Sequence, residues 1–262
     1  MIVKTLECTI ERRLLVNYRI EPEFVDPLLP PPFRPQLVSG LAVGGMCFIR
    51  LGRFRPGWLP RVPWFATENA AHRFAVEWGA PTQPRVGVYV PRRDTSSRIT
   101  AAAGGKVFPG RYQLARFEID EPSGGVHIDV MSRDGGMQAA VIAAPAGDLA
   151  SELFETVEDA VDFFRRGALG FSPAASVGSL DGVRLHSTSW VAQPMTVKRV
   201  RSSLFDDTTL FPPGSCLPDC ALVMRNLPAR WASGQPPPQP AAAGPEMGSR
   251  SVTEPDQHWA RP

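Results

Sequence analysis

The stretch Thr67-Glu-Asn-Ala-Ala-His-Arg-Phe-Ala-Val-Glu-Trp78 decides how the rest of the chain is read. Laid out with the two-residue period of a strand, it puts Glu68, Ala70, His72, Phe74, Val76 and Trp78 on one face. Thr67, Asn69, Ala71, Arg73, Ala75 and Glu77 fall on the other. The first face carries the larger apolar side chains and is expected to look inward. Glu68 then stands at the mouth of an apolar surface, where partial loss of water suits a carboxyl group to general acid or base work. His72, on the same face, reads either as a satisfied core histidine or as a ligand contact.

Two further charged segments follow, Pro91-Arg-Arg-Asp-Thr-Ser-Ser-Arg98 and Gly104-Gly-Lys-Val-Phe-Pro-Gly110. Burying charge is costly unless the charge is paired or used, so ions threaded among Phe74, Val76, Trp78, Val107 and Phe108 point to a pocket. Arg92, Arg93 and Arg98 surround the start of a helix expected over about Thr95 to Ala103, where free backbone N–H groups favour a carboxylate or phosphate. A solvated or ion-paired role for the same arginines is the competing reading. Lys106 follows two glycines and precedes two apolar residues, a setting that suits a Schiff-base nucleophile. Lysine is otherwise confined to Lys4 and Lys198, so any imine chemistry has few candidates.

Outward from this region the chain reads as mostly β. Strand-like segments are expected at about 14–20, 36–52, 84–90, 111–120, 125–132, 137–144, 183–200 and 219–226, rich in β-branched or aromatic residues and punctuated by Gly or Pro. Glu21 to Leu29 suits a short helical turn closed by Pro30-Pro-Pro32. One longer helix is signed at both ends: Thr156 can cap it, Glu158 and Asp159 open it, and Arg165-Arg166-Gly167 close it. No helices of crossover length alternate with the strands, which argues for an antiparallel barrel or sandwich within the α+β class, carrying a few helices. Beyond Trp231 the chain turns to Ser-Gly-Gln-Pro-Pro-Pro-Gln-Pro-Ala-Ala-Ala-Gly-Pro, so residues 1–231 are expected to form one domain and 232–262 a disordered tail.

Composition narrows the function classes. A net charge of +2 on 262 residues gives no electrostatic reason to expect nucleic acid as a partner. The longest apolar run, Leu37 to Ile49, is too short to cross a bilayer, which needs about 20 residues, so no membrane partner is expected. The first residues, Met1-Ile-Val-Lys-Thr-Leu-Glu-Cys8, lack the apolar core of a secretory signal, and a cytoplasmic location with reduced thiols is expected. Cys216 and Cys220 are spaced loosely for a metal knuckle, and a set drawn from His127, Asp129 and His186 is no better, so no metal is expected. Phosphate-loop and nucleotide fingerprints are missing from the sequence, so no cofactor is expected. A homo-oligomer is compatible with all of this.

Taken together, Leu14-Leu-Val-Asn-Tyr-Arg19, Leu28-Leu-Pro-Pro-Pro-Phe-Arg-Pro35, Thr67-Glu-Asn-Ala-Ala-His-Arg73, Pro91-Arg-Arg-Asp-Thr-Ser-Ser97, Gly104-Gly-Lys-Val-Phe-Pro-Gly110, Arg201-Ser-Ser-Leu-Phe-Asp-Asp207 and Phe211-Pro-Pro-Gly-Ser215 resemble the YqjF-like family of unknown function. That family is placed in the acetoacetate decarboxylase-like superfamily. The resemblance spans about residues 8–231 and implies a closed, cone-shaped antiparallel barrel with an internal pocket. In acetoacetate decarboxylase a lysine forms an imine with a β-keto acid, a neighbouring lysine lowers its pKa, and a glutamate and an arginine line the pocket. Glu68 is similar to that glutamate, and Lys106 falls near the lysine pair, but Gly105 and Val107 flank it, so the second lysine is missing. Arg12, Arg13 and Arg19 all lie near the place of the pocket arginine, and Arg19 is kept among the ligand contacts.

The favoured expectation is a protein that binds a small carboxylate-bearing molecule through Glu68, Arg92, Arg93 and Arg98, with His72 and Arg19 nearby. A lyase using Lys106 as nucleophile and Glu68 as proton shuttle is the alternative. A scaffold that contacts partners through its proline-rich tail is the third.

Overall fold

The computed structural model describes residues 5–56, 66–104, 110–174, 176 and 178–234. Its strands are β1 (Thr5–Ile20), β2 (Arg34–Pro35), β3 (Leu37–Val38), β4 (Leu41–Pro56), β5 (Thr67–Trp78), β6 (Arg85–Thr95), β7 (Gln113–Asp120), β8 (Val126–Ser132), β9 (Gln138–Pro145), β10 (Leu169–Pro173), β11 (Leu180–Ser187), β12 (Gln193–Ser202) and β13 (Cys216–Gly234). The helices are α1 (Pro22–Val25), α2 (Arg98–Ala103) and α3 (Val157–Arg166). The expectation of a strand-dominated chain with few helices holds.

Five strands, β13, β1, β4, β5 and β6, lie side by side as a continuous wall. Among the described residues this wall is closed twice. Through β7, β8, β9 and β12 the pairings run from β6 back to β13 on one side. Through β10 and β11 they run from β6 back to β13 on the other. The sheet is thus ring-like on both sides of a shared wall. The strands pair mostly antiparallel, with β6 meeting β7 and β10 in parallel over two residues each.

A shared wall has no solvent face, and its sequence shows it. Leu14 to Tyr18, His72 to Val76 and Cys220 to Met224 are each buried without a break, as strands covered on both faces must be. Side chains of one parity, among them Leu14, Val16, Met46, Phe48, Phe74 and Val223, join the core of the larger ring. Those of the other parity, among them Leu15, Ile49, Ala75, Leu222 and Met224, pack against α3 and Leu185. β1 shifts register against β4 between Ile10 and Arg12, which turns Arg12 toward the first core and Arg13 toward the second side.

Helix α3 forms as its ends foretold. Thr156 Oγ1 accepts from Asp159 N at 3.1 Å while Asp159 Oδ2 accepts from Thr156 N at 3.2 Å, a capping box that satisfies two orphan donors. Helix α2 differs from expectation at its start: Asp94 and Thr95 belong to the end of β6, and Ser97 is the cap, accepting from Thr100 N at 3.1 Å. The segment expected as one strand over 183–200 is two, β11 and β12, and β10 had no distinct signature because its five residues include a glycine, a serine and a proline. β13 runs to Gly234, pairing with Gly182, so three residues assigned to a tail by composition belong to the sheet. Residues 235–262 lie outside the described residues.

His72 sits in the first core, its Nε2 2.9 Å from Ser202 Oγ and its ring edge-on to Phe205. Burial, aided by the charge of Arg92, pushes its pKa down to about 4 from 6.5. Between those values the unfolded chain binds a proton that the folded one refuses, so stability is full above pH 6.5 and falls by about 3 kcal/mol as pH drops to 4. Urea unfolding at pH 7 and at pH 4.5 should show the wild type losing about 2 kcal/mol more than His72→Gln. An equal loss in both proteins would contradict the assignment.

Candidate functional site

A cavity of about 180 Å³ lies on the α3 side of the shared wall. Each of the seven strands of the smaller ring contributes to its lining: β1, β4, β5, β6, β10, β11 and β13. Ile49, Val88, Val183, Leu185 and Trp231 make much of it apolar, and its polar side is carried by Arg13, Asn69, Arg73, Arg93, Asp94 and Tyr112.

Arg73 is the most constrained of these. It is 3% exposed, it projects from the middle of β5, and a glycine makes room for it. Gly45 faces Arg73 across β4, and a Cβ there would lie 3.3 Å from Arg73 Nη2 and 2.4 Å from the carbonyl oxygen of Val16. Arg73 Nη2 donates to Asn17 Oδ1, and its guanidinium lies over the ring of Phe164 with the carbon 4.6 Å from the centroid. Among the described residues its Nε and Nη1 have no acceptor. No carboxylate pairs with it among the described residues, and burial pushes its pKa down to about 10 from 12.5, so it stays protonated at neutral pH.

Arg13 comes from β1, its guanidinium 5.6 Å from the ring of Trp190, and its Nε and Nη1 also lack acceptors among the described residues. Arg93 donates through Nε to Ser172 Oγ at 3.3 Å and lies 5.8 Å from the ring of Tyr112. The acid on the wall is already engaged: both oxygens of Asp94 accept from Arg92 at 2.9 Å, and Arg92 reaches on to Asp134 at 2.6 Å. Burial raises the pKa of Asp94 against the pull of Arg92. The cavity therefore presents three guanidinium groups and one carboxylate that is neutralised from behind.

The residues expected from sequence separate into two groups. Arg93 is on the cavity wall. Glu68 is not: it points to the opposite face, where Arg12 Nη2 donates to it at 2.5 Å and Arg50 Nη1 at 2.8 Å. Arg12, 1% exposed, is held in turn by Glu121, which also takes Arg225. Glu68 is thus one member of a structural ion network. Arg92 is bound to Asp94 and Asp134, Arg98 is exposed on α2, and Arg19 pairs with Glu152 at 3.0 Å near the end of β1. His72 belongs to the first core. Lys106 lies outside the described residues.

The face of β5 expected to look outward is the one that lines the cavity, because the strand is covered on both sides. Arg73 was missed for that reason, although Ala71 and Ala75 on either side of it are a poor match to a solvated face. Arg13 was one of three arginines left undecided, and the register shift in β1 is what sends it to the cavity.

The chain belongs to the DUF2071 family, described as uncharacterized conserved proteins of COG2071, whose profile matches residues 7–223. This is the YqjF-like family, and its fold here is acetoacetate decarboxylase-like. Among solved structures, an acetoacetate decarboxylase-like enzyme from Sphingomonas wittichii RW1 is 15% identical, covering 90% of this chain and 92% of that chain at a TM-score of 0.54. The enduracididine biosynthesis enzyme MppR complexed with pyruvate is 11% identical, covering 88% and 89%, also at 0.54. No curated protein matches the chain. At such identities the likeness is one of fold.

An unpaired buried charge should cost stability while the cavity is empty. Arg73→Met, which keeps the volume and removes the charge, is expected to raise the unfolding free energy of the ligand-free protein by about 1–3 kcal/mol. Chemical denaturation at pH 7 measures it, and a loss of stability would show that the guanidinium is satisfied without a ligand.

Proposed function

We propose that this protein binds a small carboxylate-bearing molecule in the cavity of the smaller ring, with Arg73 and Arg13 as its anion-recognising groups and Arg93 beside them. The observation that carries the reading is Arg73: fully enclosed, protonated at neutral pH, facing no acid, and part of the wall of a space large enough for a guest. A guanidinium held in a low dielectric with free N–H groups is a strong binding element for a carboxylate, since charge-assisted hydrogen bonds strengthen where water is excluded. The apolar part of the lining suits a short carbon skeleton. A protein of the same fold has been solved with pyruvate, which makes pyruvate a reasonable first probe.

Compared with the arrangement expected from sequence, the anion site moves from Glu68, Arg92 and Arg98 to Arg13, Arg73 and Arg93. The chemical expectation, a carboxylate in an internal pocket, is retained. A second reading, an imine-forming lyase, has one observation in its favour. A Cβ on Gly104 would lie 3.0 Å from the Tyr112 ring, and one on Gly110 would lie 3.3 Å from Arg93 Nε, so both residues that flank the segment carrying Lys106 abut side chains of the cavity. Borohydride reduction with pyruvate tests it: a mass added at Lys106 supports the lyase, and an unmodified Lys106 across a panel of keto acids ends it.

For the binding reading, calorimetric titration with pyruvate and other short carboxylates at pH 7 should give saturable binding that Arg73→Met or Arg13→Met weakens tenfold or more. Binding that is unchanged in both variants would place the carboxylate elsewhere. Glu68→Gln is expected to leave the affinity within about threefold, because Glu68 faces the other side of the wall.

A further inference from the structure

The cavity holds more positive charge than one carboxylate can answer. Among the described residues Arg13 and Arg73 each leave Nε and Nη1 without an acceptor, which amounts to one N–H and two N–H per arginine, six in the pair. A carboxylate offers about four lone-pair positions. Arg93 adds a third guanidinium on the same wall, partnered by the Ser172 hydroxyl and the Tyr112 ring. None of the three has an acidic partner among the described residues, and Asp94 is committed to Arg92. A singly charged guest would leave two cations uncompensated in a largely apolar enclosure, and each such charge carries a penalty of several kcal/mol. A doubly charged guest leaves one.

The placement of the arginines agrees with two separate anionic ends. Arg73 stands in register with Gly45 on β4, whereas Arg13 stands in register with Ile49, which faces Asn69 on β5. Four residues of β5 separate Asn69 from Arg73, about 13 Å along the strand at ~3.3 Å per residue. The two side chains therefore start from different heights of the same wall and both line the cavity, near enough for the charge of Arg13 to act on Arg73. Its size sets the length of the guest. An apolar cavity of about 150 Å³ holds benzene, so about 180 Å³ suits some seven or eight heavy atoms.

We propose that the guest is a short dicarboxylate of three or four carbons, with one carboxylate at Arg73 and the other at Arg13. This rests on the carboxylate-binding reading above and narrows it to a diacid. Apolar lining residues such as Val88, Val183 and Leu185 would cover the methylene or keto carbons between the two ends.

The test is an isosteric series on the full chain at pH 7: succinate, its monoamide succinamate and its diamide succinamide, titrated by calorimetry. Succinate is expected to bind at least tenfold more tightly than succinamate, and succinamide not to bind. In Arg13→Met the preference for succinate over succinamate should collapse to within about twofold. Equal affinities for succinate and succinamate in the wild type would overturn the diacid inference and leave the single-carboxylate reading standing. Binding by none of the three, nor by pyruvate, would overturn both. The wild-type series decides the matter even where a variant fails to fold.

Discussion

The structure turns on one constraint: the wall of β13, β1, β4, β5 and β6 is covered on both faces, so every polar side chain it carries must be answered inside the protein. On the face toward the larger ring the chain supplies carboxylates for its buried charge, although Arg12 Nε, Tyr18 OH and Trp78 Nε1 make no hydrogen bond among the described residues. Arg12, enclosed there, meets Glu68 and Glu121, and His72 meets Ser202. On the face toward the smaller ring it does not. Among the described residues Arg73 and Arg13 have no carboxylate of their own, and they line an open space with a largely apolar wall. The same wall thus contains a closed ion network and an unclosed one. Burial in a low dielectric makes the unclosed one expensive to maintain unless something enters to complete it.

That contrast also separates stability from function in the part of the chain richest in charge. Glu68, Arg50, Arg12, Glu121 and Arg225 form a chain of contacts that fixes the edge of the larger ring, and Arg92 locks the end of β6 to Asp94 and Asp134. Arg12 and Arg92 each stand next to a cavity arginine in sequence. Alternation sends Arg12 and Arg13, and likewise Arg92 and Arg93, to opposite sides, and the register shifts in β1 between Ile10 and Arg12 and in β6 between Tyr89 and Arg92 set which of each pair faces the cavity.

Much of the fold was legible in residue patterns. Proline and glycine marked the strand boundaries, and α3 announced both its ends through Thr156, Asp159 and Gly167. What could not be read was which rings the strands close, because closure rests on pairings between β6 and β10, β11 and β13, and β12 and β13, each far apart in sequence. Without that knowledge β5 looked like a strand with one inner face, and the inner face was assigned to its larger residues. That assignment was right for Phe74, Val76 and Trp78 and still led away from the cavity. Continuous apolar runs such as Leu14-Leu-Val16 and Ala221-Leu-Val-Met224 were the available sign that both faces are buried. Taken seriously, they would have made Arg73 the unusual residue of its strand. The resemblance to the acetoacetate decarboxylase-like superfamily carried the fold, and Glu68, matched to its pocket glutamate, faces the larger ring instead of the cavity described above.

The most direct test of the account is a crystal structure of the protein grown with a short carboxylate. The account predicts density in the cavity of the smaller ring, with carboxylate oxygens about 2.7–2.9 Å from guanidinium nitrogens of Arg73 or Arg13. A cavity that holds water alone under saturating ligand, or an anion seated instead among Arg12, Arg50 and Glu68, would contradict it.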